Sequence, residues 1–246
     1  MRLLEPLTPD PRAPLATAHP LAKIAAALVL MFALFLTIDP LTPALVLVAE
    51  LAAVPLVGIR PGALLRRAFP VLIAAIGIAF FNALVSGDVP AGVSIGLRVV
   101  GIALAGIVAI ASIDPTDLSD ALVEHLHTPR RFTVGALAAF RLMPLFADEW
   151  QTIALARRAR GIDSRRVAGF FPMTRSLLVA AIRRATRLAV AMDGRGFARG
   201  GCRTLARPRA ITARDWLLIA ASVAIAALAT SASIAAGSWR FFLEAR

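Results

Sequence analysis

Long apolar runs separated by short polar breaks dominate the chain. Five of them approach the about 20 helical residues that cross a hydrocarbon layer. The five predicted spans are Leu21–Ile38, Leu41–Ile59, Phe69–Val85, Val93–Ile113 and Trp216–Ala236. Helix breakers and turn formers separate these runs. The pattern predicts an all-α membrane protein, whose third span, at 17 residues, must be completed by tilt or by flanking residues.

Residues 114–215 follow a different pattern. They contain 18 arginines, together with apolar helical stretches such as Thr133–Ala147 and Leu177–Met192. This region is too polar for two clean spans and too apolar for a disordered loop, so we expect crossed amphipathic helices at the inner membrane interface. The predicted organisation is therefore four spans in residues 1–113, the helical region 114–215, and a last span with its tail in 216–246.

Composition and charge support a membrane protein with a defined orientation. Apolar residues make up 59% of the chain and charged residues 17%, whereas soluble domains carry about 25% charged residues. With a cytoplasmic N-terminus, 24 of the 27 basic residues lie on the inner side, which fits the retention of positive charge there. Only Arg98, Arg240 and Arg246 then lie on the outer side. Trp216 and Trp239 bracket the last span, as interfacial aromatic residues do.

The net charge of +12 does not indicate nucleic-acid binding. Basic patches that grip phosphate lie on a soluble face beside aromatic side chains that stack on bases. Here the basic residues lie between apolar spans and the chain has no Tyr. We also expect no cleavable signal peptide, because the first 20 residues contain five prolines and no long apolar core.

Two Arg-Gly pairs, 35 residues apart, end predicted helices in region 114–215. The first helix is predicted to begin at Pro144, which would place Asp148 and Glu149 near the positive end of the helix dipole. It ends at Ala159-Arg160-Gly161, where glycine supplies a left-handed cap. The second helix ends in the same way at Gly194-Arg195-Gly196.

These helix ends have two interpretations. An arginine between small residues lets another protein approach closely, and its guanidinium can donate several hydrogen bonds to carboxylates or helix-end carbonyls. Alternatively, both are ordinary helix C-caps in which the arginine complements the dipole and the glycine terminates the helix. The residues alone leave both interpretations open.

No catalytic or metal-binding arrangement is recognisable. The chain has no Gly-rich loop ending in Gly-Lys-Ser or Gly-Lys-Thr, and its only lysine is Lys23. The three histidines, His19, His125 and His127, are too few for a metal site, and the last two cannot share a helix face. Cys202 is expected to be a structural or incidental thiol. We therefore expect a non-enzymatic protein without a cofactor or metal of its own.

Glu50, Asn82 and Arg98 fall inside the predicted spans, where polar groups default to a functional hypothesis because their burial in lipid is costly. Arg98 can snorkel, and Asn82 lies near an outer end. Glu50 is mid-span, and its role stays open between packing or partner contact and proton or ion handling. A stand-alone secondary transporter using Glu50 is one alternative function, although the chain lacks two matching halves. A membrane-embedded hydrolase is another, although no nucleophile and base are found.

Several short motifs occur in a fixed order along nearly the whole chain. They are His19-Pro20-Leu21-Ala22-Lys23, Arg98, Ser112-Ile113-Asp114-Pro115-Thr116-Asp117-Leu118, Phe140-Arg141-Leu142-Met143-Pro144-Leu145, Asp148-Glu149 and the two Arg-Gly pairs. With these motifs the chain resembles the T component, the transmembrane coupling subunit, of energy-coupling factor (ECF) transporters, a CbiQ-type family of cobalt and vitamin permeases. One departure is Gly194, where the family usually has alanine.

The resemblance implies a mechanism and site residues. The two Arg-Gly helix ends would dock on a pair of cytoplasmic ABC ATPase subunits, with Arg160 and Arg195 as anchors and their small neighbours allowing close approach. Arg141, Pro144 and Glu149 would be structural residues of the coupling region. A separate small membrane protein, the S component, would bind the substrate, a vitamin or a cobalt or nickel ion. ATP and Mg²⁺ would be bound by the ATPases, and the assembly would reside in the bacterial cytoplasmic membrane.

Overall fold

A computed structural model describes residues 13–162, 167–196 and 210–237, which form eight α-helices. The helices are α1 (Pro20–Leu36), α2 (Leu41–Val57), α3 (Pro61–Ser86), α4 (Val89–Ala111), α5 (Pro115–His125), α6 (Arg130–Ala159), α7 (Val167–Gly194) and α8 (Ala213–Ala235). The prediction of an all-α membrane protein is confirmed. Cys202 and Trp239, which were interpreted from the sequence, lie outside the described residues.

Each predicted span falls on one of the helices α1 to α4 and α8. In the described part of the chain, α3, α4 and α8 are long and apolar enough to cross a membrane, while α1 and α2 are shorter apolar helices. Each of these two has 17 residues, a rise of about 26 Å.

The expectation that the third span is the short one is wrong. Helix α3 has 26 residues and begins at Pro61, eight residues before the predicted boundary. Proline fits the first helical position because its missing N–H would have no helical partner there. The sequence Arg60-Pro61-Gly62 therefore opens the helix, and the connection to α2 is much shorter than predicted.

The chain divides into two compact units: residues 1–121 with 209–246, here the bundle unit, and residues 122–208, here the arginine-rich unit. In the bundle unit, α1 and α2 both pack against α4 and α8, and α3 packs on α4. Apolar side chains fill two clusters, one containing Val54, Val57, Ile59, Leu64 and Leu104, the other Leu34, Val46 and Ala229.

Helices α3 and α4 approach closely along a seam of small residues. A Cβ atom added at Gly92 would lie 2.5 Å from the carbonyl oxygen of Ala79, and one added at Gly96 would lie 2.9 Å from the Ala79 Cβ. Gly92 and Gly96 form a Gly-x-x-x-Gly pattern, which brings membrane helices into close contact. The sequence contains this pattern, but the hydrophobic runs alone do not indicate it.

The main helices of the arginine-rich unit are α6 and α7, and both continue through a proline. Pro144 lies inside the 30-residue helix α6, and Pro172 lies inside α7. The predicted helix start at Pro144 is therefore wrong, and Asp148 and Glu149 do not lie at a helix N-terminus. Although an interior proline removes one backbone hydrogen bond, the strongly helical residues on both sides of Pro144 keep the helix continuous.

Candidate functional site

The end of α6 is closed by the backbone around Arg160 and Gly161. The Gly161 N–H donates to the Arg158 carbonyl at 2.9 Å and the Ile162 N–H to the Arg157 carbonyl at 3.0 Å. Gly161 has a φ of 73°. This pair of bonds with a left-handed residue is the Schellman motif, so the predicted glycine cap is confirmed here.

The end of α7 repeats this arrangement. Arg195 follows the last helical residue, Gly194, and the Gly196 N–H donates to the Asp193 carbonyl at 2.8 Å. Gly196 has a φ of 71°. In both helices an arginine therefore occupies the cap position between a small residue and a left-handed glycine, and we name these two ends the arginine tips.

The side chains of the arginine tips are available to another molecule. Ala159, Arg160, Gly194 and Arg195 are exposed. Within the described residues, neither guanidinium makes a hydrogen bond or an ion pair. A Cβ atom built at Gly161 or Gly194 meets no atom of the described part of the chain within 4 Å. The small neighbours thus leave open space around two unpaired cations.

Side chains from one turn of α6 contact two distant points of α7. Glu149 forms an ion pair with Arg184 at 3.2 Å, and that guanidinium also lies 5.8 Å from the ring centroid of Phe146. Trp150, next to Glu149, contacts Phe170 with ring centroids 5.6 Å apart. Phe170 and Arg184 are about four helical turns apart. If α6 and α7 ran side by side, neighbouring residues of α6 would contact neighbouring residues of α7. The contacts with two points of α7 about four turns apart therefore indicate that the helices cross.

The predicted structural residues of this region occupy different parts of α6. Glu149 is held by its ion pair with Arg184. Pro144 lies near the middle of the helix, and Arg141 is exposed about two turns before Glu149. The structure therefore connects Glu149 to α7 directly.

The arginine-rich unit exposes most of its apolar side chains. In its described part, the buried side chains are Thr133 and Met173. Large apolar side chains that remain exposed include Phe132, Phe140, Met143, Leu155, Phe171, Leu178, Ile182 and Val190. Such a large exposed apolar surface is typical of a protein or membrane contact.

A buried polar network joins the N-terminal residues of the bundle unit to α4 and α8. The Lys23 Nζ donates to the carbonyl oxygens of Ala16 at 3.0 Å and Ser112 at 2.8 Å. The His19 N–H donates to Oδ1 of Asp215 at 2.6 Å. His19 also caps α1, because its Nδ1 accepts from the Leu21 N–H at 3.3 Å. The motif His-Pro-Leu-Ala-Lys is therefore a set of helix-end contacts.

Asp39 organises a second polar network, at the turn between α1 and α2. Its Oδ2 accepts from the Thr42 N–H at 2.7 Å and from the Ser233 hydroxyl at 2.6 Å. The Ser94 hydroxyl donates to the Asp39 carbonyl at 2.8 Å. Burial raises the pKa of the Asp39 carboxyl, but the hydrogen bonds from Ser233 and Thr42 outweigh it and hold the pKa below its ordinary value.

Arg98, Asn82 and Glu50 have different surroundings. Arg98 donates to the carbonyl of Thr37, the C-cap of α1, and its snorkelling stays a prediction. The Asn82 side chain donates to the Ile78 carbonyl of its own helix at 2.9 Å. Glu50 is 6% exposed, and neither of its carboxylate oxygens has a hydrogen-bond partner among the residues that the structure describes. It lines a cavity of about 1070 Å³ bounded by α1, α2, α4 and α8.

The histidines are dispersed. His19 belongs to the buried network, while His125 ends α5 and His127 lies in the following connection. Among the described residues, no group of three histidine, cysteine or acidic side chains is placed to hold a metal ion.

Comparison with known proteins identifies relatives of one kind. A family model described as CbiQ, cobalt transport protein, matches residues 11–204. The chain is 30% identical over 164 residues to the energy-coupling factor transporter transmembrane protein EcfT of Bacillus subtilis (strain 168), a match covering 61% of this chain and 62% of that protein. The corresponding proteins of Staphylococcus aureus (strain 04-02981) and Limosilactobacillus fermentum (strain CECT 5716 / Lc40) are 30% and 36% identical, over 55% and 47% of this chain and 55% and 48% of theirs. The chain thus spans about half to three-fifths of the length of these curated relatives.

Proposed function

This chain belongs to the CbiQ family of cobalt transport proteins, and on that premise we propose that it is the transmembrane coupling subunit of an ECF-type importer. In this proposal it performs no chemistry. It carries the movement of two ATP-hydrolysing partner subunits to a separate membrane protein that binds the substrate. The substrate class is a vitamin or a transition-metal ion, and the choice among these belongs to the substrate-binding protein.

The observation that carries the proposal is the repeated geometry of the arginine tips. Two helices of one unit end in an exposed guanidinium beside a left-handed glycine, and neither guanidinium is paired within residues 13–162, 167–196 and 210–237. A guanidinium at a helix end suits a groove lined with carboxylates or carbonyl groups, since it presents several donors in a fixed fork. Two equivalent tips suit a pair of equivalent subunits.

The distribution of charge supports an inner location for these tips. The arginine-rich unit contains 16 of the 26 arginines of the chain, and positive charge is retained on the cytoplasmic side of bacterial inner membranes. We therefore place the arginine tips and the N-terminus in the cytoplasm, where the ATPases work. The exposed apolar side chains of α6 and α7 then face the inner leaflet or the substrate-binding protein.

The test is co-purification with the two ATPase subunits encoded in the same genome. The double variant Arg160→Glu/Arg195→Glu reverses the charge of both arginine tips. We expect at least a tenfold loss of bound ATPase, about the effect of losing one charged contact. The measurement is the ATPase-to-subunit ratio after affinity purification in detergent.

The matched control is Arg175→Glu/Arg187→Glu, which makes the same change of charge at exposed positions on α7 away from the tips. It is expected to keep the ATPases bound. Unchanged ATPase binding by the tip variant would refute the docking role. Equal losses in both double variants would show that net charge alone is responsible, which also refutes it.

A further inference from the structure

The two units of the chain are joined at only two points along the backbone. One is inside α5, between Ala121 and Leu122, and the other lies between Pro208 and Arg209. On the bundle side, the first connection emerges from the end of α4 at Ser112, and the second enters α8 through Thr212. Any movement of the arginine-rich unit that reaches the bundle through the backbone must pass one of these two helix ends.

The N-terminal residues of the bundle unit bind both of these helix ends. Lys23 donates to the carbonyl of Ser112, the C-cap of α4, at 2.8 Å. Four residues earlier, the His19 N–H donates at 2.6 Å to the Asp215 carboxylate in the first turn of α8. The same carboxylate closes the capping box of α8 by accepting from the N–H and the hydroxyl of Thr212, both at 2.8 Å. We call His19, Lys23, Ser112 and Asp215 the clamp.

The clamp is buried, and its charges suit the helix ends they contact. His19 is 1% exposed, Asp215 2% and Lys23 9%. A cation at the C-terminus of α4 and a carboxylate at the N-terminus of α8 both match the helix dipole. Because these side chains are buried, their hydrogen bonds are shielded from bulk solvent and are costly to break. The first turn of α1 is thereby fixed to both helix ends at once.

We propose that the clamp makes the two helix ends move as one body, so that Lys23 and Asp215 are positioning residues for energy coupling. With the clamp closed, a displacement of the arginine-rich unit passes to the bundle. With it open, the same displacement bends the chain around residues 112–115 and 210–215 and is dissipated there. This role rests on the proposed function. It adds the residues through which a movement of the arginine-rich unit is passed to the membrane helices.

The experiment uses the complete transporter in proteoliposomes and measures three quantities: bound ATPase, the rate of ATP hydrolysis and the uptake of radiolabelled substrate. Lys23→Met removes the ammonium while keeping an unbranched side chain, and Asp215→Asn weakens the link to His19. For both variants we expect assembly and hydrolysis near native values. Uptake per ATP hydrolysed is expected to fall about tenfold, the scale of a lost coupling contact.

The matched control is Arg214→Met. It removes one positive charge next to Asp215, from an exposed side chain without a hydrogen bond or ion pair in the described part of the chain. Its uptake per ATP is expected to be native. A loss of coupling in this control would show that charge near α8 is sufficient, and the clamp would be refuted.

Two other results would overturn the proposal. Native coupling in both clamp variants would show that the clamp transmits nothing. A parallel fall of assembly, hydrolysis and uptake would assign the clamp to folding alone. Failure of the proposed function looks different, because the native chain would then neither bind the ATPases nor support uptake with them.

Discussion

The bundle unit and the arginine-rich unit differ in how they are held together. In the bundle unit, glycines bring α3 and α4 into close contact, and buried hydrogen bonds link residues as distant in sequence as His19 and Asp215. In the arginine-rich unit, two long helices cross, and Glu149 and Arg184 form an ion pair that is about one-third exposed on each side. Both units expose large apolar side chains, and what distinguishes the bundle unit is its close-packed glycine seam and its buried hydrogen bonds.

Under the proposed function, this difference separates two tasks of one protein. A frame that receives force must resist deformation, which close packing and satisfied buried polar groups provide. A surface that engages other proteins needs exposed apolar and cationic side chains, which cannot also form its own core.

The largest effect is expected from Gly96→Leu, which places a side chain where a Cβ atom alone would lie 2.9 Å from Ala79. The helices must separate, so we expect a destabilisation of about 3 kcal/mol or more. It is measured as a fall in the midpoint of thermal unfolding in detergent. The control Gly106→Leu lies on the same helix with nothing within 4 Å and should melt like the native chain. An unchanged unfolding midpoint in Gly96→Leu would show that the close contact between α3 and α4 does not stabilise the bundle unit.

A smaller and local effect is expected from Gly161→Ala, because a residue with a Cβ atom at a φ of 73° is strained by about 1 kcal/mol. Faster amide exchange in the last turn of α6, without a change in the overall unfolding midpoint, is the expected result. The control Gly135→Ala, in the interior of α6 with open space around it, should be neutral or slightly stabilising. A shift of the overall unfolding midpoint in Gly161→Ala would show that the arginine tip of α6 contributes to the stability of the whole protein.

The smallest effect is expected at the ion pair of Glu149 and Arg184. Its side chains are 30% and 33% exposed, and exposed pairs contribute about 0.2–1 kcal/mol. A double-mutant cycle with Glu149→Gln and Arg184→Gln, read out by thermal unfolding, should give a coupling energy in that range. An interaction energy above about 2 kcal/mol would place this pair in the class of buried charge pairs and would weaken the contrast between the two units.

Much of the fold is predictable because long apolar runs can form little other than membrane helices. Boundaries are less predictable, because a proline is compatible with a helix start, as at Pro61, and with a helix interior, as at Pro144. The Gly-x-x-x-Gly pattern of Gly92 and Gly96 can be recognised in the sequence, but the helix that it contacts cannot. Hydrogen bonds across nearly 200 residues, such as the one between His19 and Asp215, depend on the assembled bundle.

The site was predictable to a similar extent. A glycine after an arginine at the end of a helical stretch indicates the left-handed cap found at Gly161 and Gly196. The partner of Glu149 was not predictable, since its ion pair to Arg184 depends on how α6 and α7 cross. The sequence does not indicate the clamp, because the side-chain chemistry of Lys23 and His19 suggests only a P-loop lysine or a metal ligand. Their actual contacts are with backbone groups, which every sequence contains.

The closure of each arginine tip by backbone groups has a consequence for engineering. Because Gly161 and its neighbours close α6 without help from the guanidinium, the identity of the capping side chain can be exchanged without unravelling the helix. Under the proposed function, replacing Arg160 and Arg195 by aspartate, together with lysines introduced in the matching grooves of a second ATPase pair, would create an orthogonal set. Two importers in one cell would then each use a separate pair of ATPases.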